Sequence, residues 1–346
     1  MALVAVRRHI AVSEPEVLLP AYACPDLVSA AIYAGLKPVL VDLVPDRPWM
    51  NLNTLQQLIG PNTVAVIAAH FLGISERLRE IRMVLSDSDV VLIVDSAQLF
   101  PSTTTDTVWQ GDMVILSFGR GKPMSLLGGG AVLSNEPSLS SLLPEAETSR
   151  LDGNNGLEPE WQFKLKAKAY NVILKPLGYG VLKQVPFLHL GQTIYKPLQQ
   201  ITPFGWKRVA LLAANIIAYQ KRSRQTQIRL SEMLAGIKGN IVLDLASSMV
   251  DLSNILMLRY PVLFRDEHWR DRVHDVLNRA GFGVSKLYKS SLPQIDGLQS
   301  ILPEQDGYPH AVDFSKRLLT LPCHFGVSRE DVELISCVIE GVKKEH

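Results

Sequence analysis

The chain has 346 residues, 47% of them hydrophobic and 20% charged, so it is long enough for one large and one small domain and too apolar to stay disordered. Its 35 Lys and Arg offset 34 Asp and Glu for a net charge of +1, which argues against a protein that holds nucleic acid through its phosphates. Three scattered cysteines, Cys24, Cys323 and Cys337, make neither a disulfide framework nor a CxxC zinc pair and suit a reducing, cytoplasmic compartment.

The first third alternates short β-branched runs with helical patterns. Residues 17–19 (VLL) predict a strand ending at Pro20, and residues 27–34 a helix stopped by Gly35. Strands follow at 39–42 (VLVD), 64–69 (VAVIAA), 90–94 (VVLIV) and 113–118 (MVILSF), with helices at 53–59 and 76–85 between them. These runs are continuously apolar rather than alternating, as strands buried on both faces read. The expected fold is therefore α/β, a mostly parallel sheet covered by helices. Ligands in such sheets sit at the carboxyl ends of the strands. That singles out Tyr22, Asp42, His70, Asp95 and Ser117.

Residues 151–200 show no strand pattern. Within them, 169–191 is the most apolar long stretch, interrupted by Lys175, Pro176, Lys183, Pro186 and His189. It reads as a packing or dimer-interface segment, with attachment to a membrane surface as the weaker alternative. No run reaches the length of a membrane span, and residues 1–12, a short apolar run interrupted by Arg7, Arg8 and His9, are not expected to act as a signal peptide. Residues 210–234 predict one long helix, 257–264 a strand, 267–280 a helix and 318–322 a strand. Ser328 is placed to cap a last helix with Glu330 and Asp331 in its first turn. A boundary near residue 236 would divide a large domain, 1–235, from a smaller α/β domain, 236–346.

The sharpest constellation is Asp95-Ser96-Ala97-Gln98, then Ser117 to Lys122 (SFGRGK), then the glycines 128–130. A carboxylate closing an apolar strand is poorly solvated unless it meets a cation. Lys122 follows the next strand in a Gly-rich turn, so its amine can reach back over the sheet edge. An acid, a hydroxyl and an amine converging there suit a pyridoxal phosphate (PLP) site: the lysine forms the Schiff base, the acid keeps the pyridine nitrogen protonated, and the serine serves the phosphate. Each piece alone has a bland reading: a solvated lysine, an ordinary serine, a common strand-end aspartate.

The chain resembles the DegT/DnrJ/StrS family of PLP-dependent sugar aminotransferases, of the aspartate-aminotransferase fold type. The resemblance rests on residues 16–43 (EVLLPAYACPDLVSAAIYAGLKPVLVDL), on VDSAQ at 94–98, on 117–135 (SFGRGKPMSLLGGGAVLSN) and on 314–335 (FSKRLLTLPCHFGVSREDVELI). It implies Lys122 as Schiff-base lysine and proton shuttle, and Asp95 at the pyridinium nitrogen. It further implies Gln98 facing the ring's phenolic oxygen and Ser117 on the phosphate. His70 matches a family His-x-x-Gly, either in the site or as a hydrogen-bonded structural histidine. Three departures stand beside it. The family's phosphate-cradling helix start lies upstream of the residues matching 2–11, so the N-terminal arm and half of the phosphate cup are expected to be absent. The usual stacking aromatic falls near Cys24, with Tyr22 as a substitute or as plain packing. The family's Tyr-Asn-Tyr-Arg becomes Phe204-Gly205-Trp206-Lys207, and a lysine is not an equivalent phosphate fork.

No GxxxxGK[ST], HExxH, GxSxG or GxGxxG in a suitable context is present, and no metal site is expected. The function that follows is an aminotransferase moving an amino group, by resemblance from glutamate, to a nucleotide-linked keto sugar in polysaccharide or secondary-metabolite biosynthesis. By the same resemblance it is a homodimer, and the specificity contacts fall within 145–205. A second reading, from another class, is a catalytically weak family member serving as a dimeric scaffold or regulator.

Overall fold

A computed structural model describes residues 1–100, 109–143, 160–173, 193–202, 206–237, 241–302 and 307–343. The first half runs α1 (Ala2–His9), β1 (Glu16–Pro20), α2 (Asp26–Tyr33), β2 (Lys37–Val41), α3 (Leu52–Leu58), β3 (Thr63–Ala69), α4 (Leu78–Val84), β4 (Val91–Asp95), β5 (Met113–Ser117), β6 (Gly130–Ser134) and α5 (Pro137–Ser140). Then come α6 (Glu160–Ile173), α7 (Trp206–Val209), α8 (Leu212–Gln220), α9 (Gln225–Gly236), β7 (Val242–Asp244), α10 (Leu245–Met249), β8 (Tyr260–Phe264), α11 (Glu267–Arg279), α12 (Pro309–Arg317), β9 (Leu318–Leu321) and α13 (Arg329–Lys343).

Six strands form one sheet in the order β2-β1-β3-β4-β5-β6, parallel except for β6. The apolar runs are buried on both faces, as their sequence implies. Leu18, Val66, Leu92, Val94 and Val114 enter one hydrophobic cluster, with Leu55 and Ile81 from α3 and α4. Val17, Leu19, Ala65, Ile67 and Ile93 point the other way, into a cluster shared with α1. That second cluster continues into Leu230, Tyr260, Phe264, Phe314 and Ile335. The antiparallel sheet β7-β8-β9 and its helices are thus packed onto one face of the large sheet.

The terminators act as their chemistry dictates. Gly35 closes α2 at φ +72°, a left-handed conformation open to glycine. The last helix opens on a reciprocal cap, in which Ser328 Oγ accepts from Asp331 N–H at 3.1 Å and Asp331 Oδ2 accepts from Ser328 N–H at 2.8 Å.

Two expectations are corrected. Residues 210–234 form two helices, α8 and α9, separated at Lys221–Arg224. Tyr219 ties the end of α8 down by donating to Leu256 O, and Ser223 Oγ accepts the Gln225 N–H to start α9 afresh. The strand expected over 257–264 begins at Tyr260, because the Met257 N–H is taken by Gln227 Oε1 instead of a sheet neighbour. Most of the 169–191 stretch, together with Phe204 and Gly205, lies outside the described residues. Among the described residues no helix is long and apolar enough to cross a membrane.

Candidate active site

The parallel strands β1 to β5 all open their carboxyl ends on one edge. The chain leaves β1 for β2 on one side and comes back to β3 on the other. The loops after β1 and β3 therefore diverge and leave a crevice, where ligands of such sheets are bound.

Asp95 is the last residue of β4, in register with Ala69 of β3 and Ile115 of β5. Its Oδ1 accepts the Ala97 N–H at 3.0 Å. Burial pushes its carboxyl above the usual carboxylate range, the Ala97 N–H and the charge of Lys122 pull it back, and Asp26 adds to the rise.

Ser117 ends β5 and faces Gly130 of β6, so the twelve-residue connection 118–129 leaves and returns at a fixed point. Phe118, Met124 and Leu126 are buried and anchor it, and Phe118 O accepts from both Leu126 and Gly128 N–H. Within this loop Ser117 Oγ accepts the Gly119 N–H at 3.3 Å. A Cβ at Gly119 would sit 3.4 Å from Ser117 Oγ and 3.6 Å from Lys122 Cγ, so hydroxyl and lysine flank one glycine. Lys122 is half-buried, and its charge reaches Asp95 and Cys24.

Gln98 follows in the turn after β4. Its Oε1 accepts the Leu72 N–H at 2.9 Å, and its Nε2 donates to the Tyr288 hydroxyl at 3.1 Å. Leu72 stands at φ +52° beside Gly73, in a tight turn closed by mutual Phe71–Ile74 backbone bonds.

His70 follows the last residue of β3. Its backbone N–H donates to Asp95 O at 2.9 Å, and its Nδ1 accepts the Glu76 N–H at 3.0 Å. That bond makes Nδ1 the unprotonated nitrogen of the neutral ring. Burial pushes its pKa down to about 3. Nδ1 thus holds the β3–α4 turn, while Nε2 is buried with no hydrogen-bond partner, so both the structural and the site reading of this histidine stand.

Tyr22 is enclosed by Phe71, Tyr288 and Phe314, with ring centroids 5.3–5.6 Å away, and its hydroxyl donates to Tyr288 O at 2.9 Å. It joins the site through Tyr288. Cys24 lies within charge range of Lys122 and Asp95. Burial is the first cause that pushes its thiol up to about 11, and Asp26 adds to it. Asp42, the remaining strand-end candidate, caps α12 and serves the fold.

The structure thus brings Asp95, Ser117, Lys122 and Gln98 to one edge, with His70 and Tyr22 in support. Sequence reasoning missed Tyr288. It lies 190 positions from Gln98, and no local motif marks it. Among the described residues no cluster of three or more His, Cys, Asp or Glu could hold a metal ion.

Residues 1–171 match the model of the DegT/DnrJ/EryC1/StrS aminotransferase family. Over 126 residues the chain is 26% identical to dTDP-4-amino-4,6-dideoxy-D-glucose transaminase of Shigella dysenteriae, which covers 36% of this chain and 34% of that protein. Among solved structures it is similar to Helicobacter pylori PseC, an aminotransferase of pseudoaminic acid biosynthesis, with TM-score 0.73 and 15% identity over 100% of this chain and 85% of that one. It is also similar to Spr1654 of Streptococcus pneumoniae, described as a sugar aminotransferase, in its PLP form (TM-score 0.68, 18% identity, 99% and 86% covered). A third is the sugar aminotransferase CalS13 of Micromonospora echinospora (TM-score 0.68, 17% identity, 98% and 84% covered). At these identities the structural likeness establishes the fold.

Proposed function

Residues 1–171 belong to the DegT/DnrJ/EryC1/StrS aminotransferase family, and on that premise we propose that the protein is a PLP-dependent aminotransferase that moves an amino group from an amino acid to a nucleotide-linked keto sugar. The observation that carries the proposal is the delivery of Asp95, Ser117 and Lys122 to one sheet edge by two adjoining strands and the loop that follows them.

The residues fit the cofactor. Asp95 is an acid raised by burial, so a protonated ring nitrogen would compensate it where one backbone N–H and a lysine do so only in part. When bound, PLP supplies an electron sink that stabilises negative charge developing on the carbon that gains or loses nitrogen. Asp95 would hold the ring nitrogen. Lys122 would hold the cofactor covalently through its amine and, once displaced, carry the proton between the substrate carbon and the cofactor carbon. Ser117 would bind the phosphate, and Gln98 would donate to the ring's phenolic oxygen. Neither Cys24 nor Tyr288 competes as a base, because burial raises both acids.

The amino donor in this reading is glutamate, and the acceptor is a nucleotide-linked keto sugar destined for cell-surface polysaccharide or a secondary metabolite, in the cytoplasm. The working form is a homodimer. Exposed apolar side chains at Trp161, Leu165, Ile194, Leu198, Val209 and Ile217 support self-association.

The test is the amino-donor half-reaction. PLP-loaded protein mixed with glutamate should yield one equivalent of 2-oxoglutarate and lose its visible absorbance. A loaded protein inert to every amino acid would favour the scaffold reading instead.

A further inference from the structure

The Gln98 amide is held from two sides. The Leu72 N–H, fixed by a left-handed backbone, can only donate, so its partner must be the carbonyl oxygen of Gln98. The NH₂ group is then directed at the Tyr288 hydroxyl. Tyr288 accepts that hydrogen bond through its hydroxyl oxygen at 3.1 Å. We infer that Tyr288 is a positioning residue of the proposed reaction: by taking one N–H of Gln98 it locks the amide so that the second N–H, and never the carbonyl, is presented to the site. The inference rests on the aminotransferase reading and adds to it a residue from the far end of the chain.

Two observations carry it. The phenol is half-buried, edge-on to Tyr22 with ring centroids 5.5 Å apart, and its hydroxyl meets Gln98, the residue that follows Asp95 by three positions. The segment around it is docked by other bonds: Tyr22 O–H to Tyr288 O at 2.9 Å and Leu292 N–H to Ala21 O at 2.8 Å. Removing the hydroxyl alone therefore leaves ring and segment in place. An amide without its second anchor is free to rotate about χ3. A donor to the ring's phenolic oxygen favours the anion of that oxygen, so losing a fixed donor raises the pH at which the anion forms.

The experiment is a spectroscopic pH titration of PLP-loaded wild type, Tyr288→Phe, Gln98→Ala and the double variant, with thermal melts of each. The expected result is a rise of about 0.5–1 pH unit in the midpoint of the visible absorbance change for Tyr288→Phe, a three- to tenfold shift in the proton equilibrium. In the Gln98→Ala background Tyr288→Phe should add nothing, because it acts through Gln98. An unchanged midpoint in Tyr288→Phe, or an equal shift in both backgrounds, overturns the inference while the enzyme reading stands. If Tyr288→Phe does not fold, Tyr288→Leu takes its place in the same cycle: a midpoint raised only when Gln98 is present supports the inference, and an unmoved midpoint or an equal shift in both backgrounds overturns it. A wild-type chain that takes up no PLP overturns the functional reading first and this inference with it.

Discussion

Asp42, the residue after β2, holds the first turn of α12 from 269 positions away, its Oδ1 accepting the Ala311 N–H at 2.9 Å. Its Oδ2 accepts the neighbouring His310 N–H at 3.1 Å. One buried carboxylate thereby satisfies two free N–H groups of a helix start and binds the second half of the chain to the sheet. Asp42→Ala should lower stability by about 1–2 kcal/mol and Asp42→Asn by less, since the amide keeps one acceptor. Urea unfolding curves check this. Equal losses would mean that the cap geometry is not what stabilises α12.

His70 predicts a pH dependence of stability. Its pKa falls from 6.5 in an unfolded chain to about 3 in the fold. Between those values the unfolded state binds the extra proton, so stability falls as pH drops below 6.5. Buried Glu76, pushed up to about 7, contributes the opposite slope between about 4.5 and 7. A comparison that keeps Glu76 therefore isolates the histidine. His70→Asn retains an acceptor for the Glu76 N–H and cannot titrate. It should be less stable than wild type at pH 7.5, and the gap should close by about 2 kcal/mol at pH 5. Chemical denaturation at the two pH values measures it, and a constant gap would place His70 in water.

Glycine is required at 111 for space. A Cβ there would meet Val94 Cγ2 at 2.6 Å and Met113 O at 2.8 Å, with backbone on one side unable to yield. Gly35 has φ +72° and nothing within 4 Å of its Cβ position. Gly111→Ala should thus lose about 2–3 kcal/mol, as overpacking does, against about 1 kcal/mol for Gly35→Ala, which is strained only in its backbone. Thermal melts of the two variants rank them.

Asp95→Asn should leave the fold intact and lower the rate of the glutamate half-reaction by at least about a hundredfold. An amide cannot hold a proton on the ring nitrogen electrostatically. Single-turnover absorbance measurements follow the rate, and a loss below tenfold would remove Asp95 from its assigned role.

The layering of the fold was legible because β1 to β5 are short, β-branched and bounded by Pro20, Asp95 and Ser117, which locate the site edge as well as the sheet. Lys122 was singled out in sequence only in combination, because it follows the strand-end Ser117 in a Gly-rich turn on the strand next to that of Asp95. The missing parts were long-range. Tyr288 and Asp42 act through partners 190 or more positions away, and hydrogen-bond geometry across that distance leaves no periodic trace. The break between α8 and α9 was hidden because apolar spacing continues through it, while the local hydroxyl of Ser223 decides the restart.

The central claim is that the Lys122 amine carries the cofactor. Loading the protein with PLP, reducing it with borohydride and mapping the digest by mass spectrometry tests it directly. The account predicts a pyridoxyl group on Lys122 and none in Lys122→Ala. Label on another lysine, or no label in a folded wild type, would contradict it.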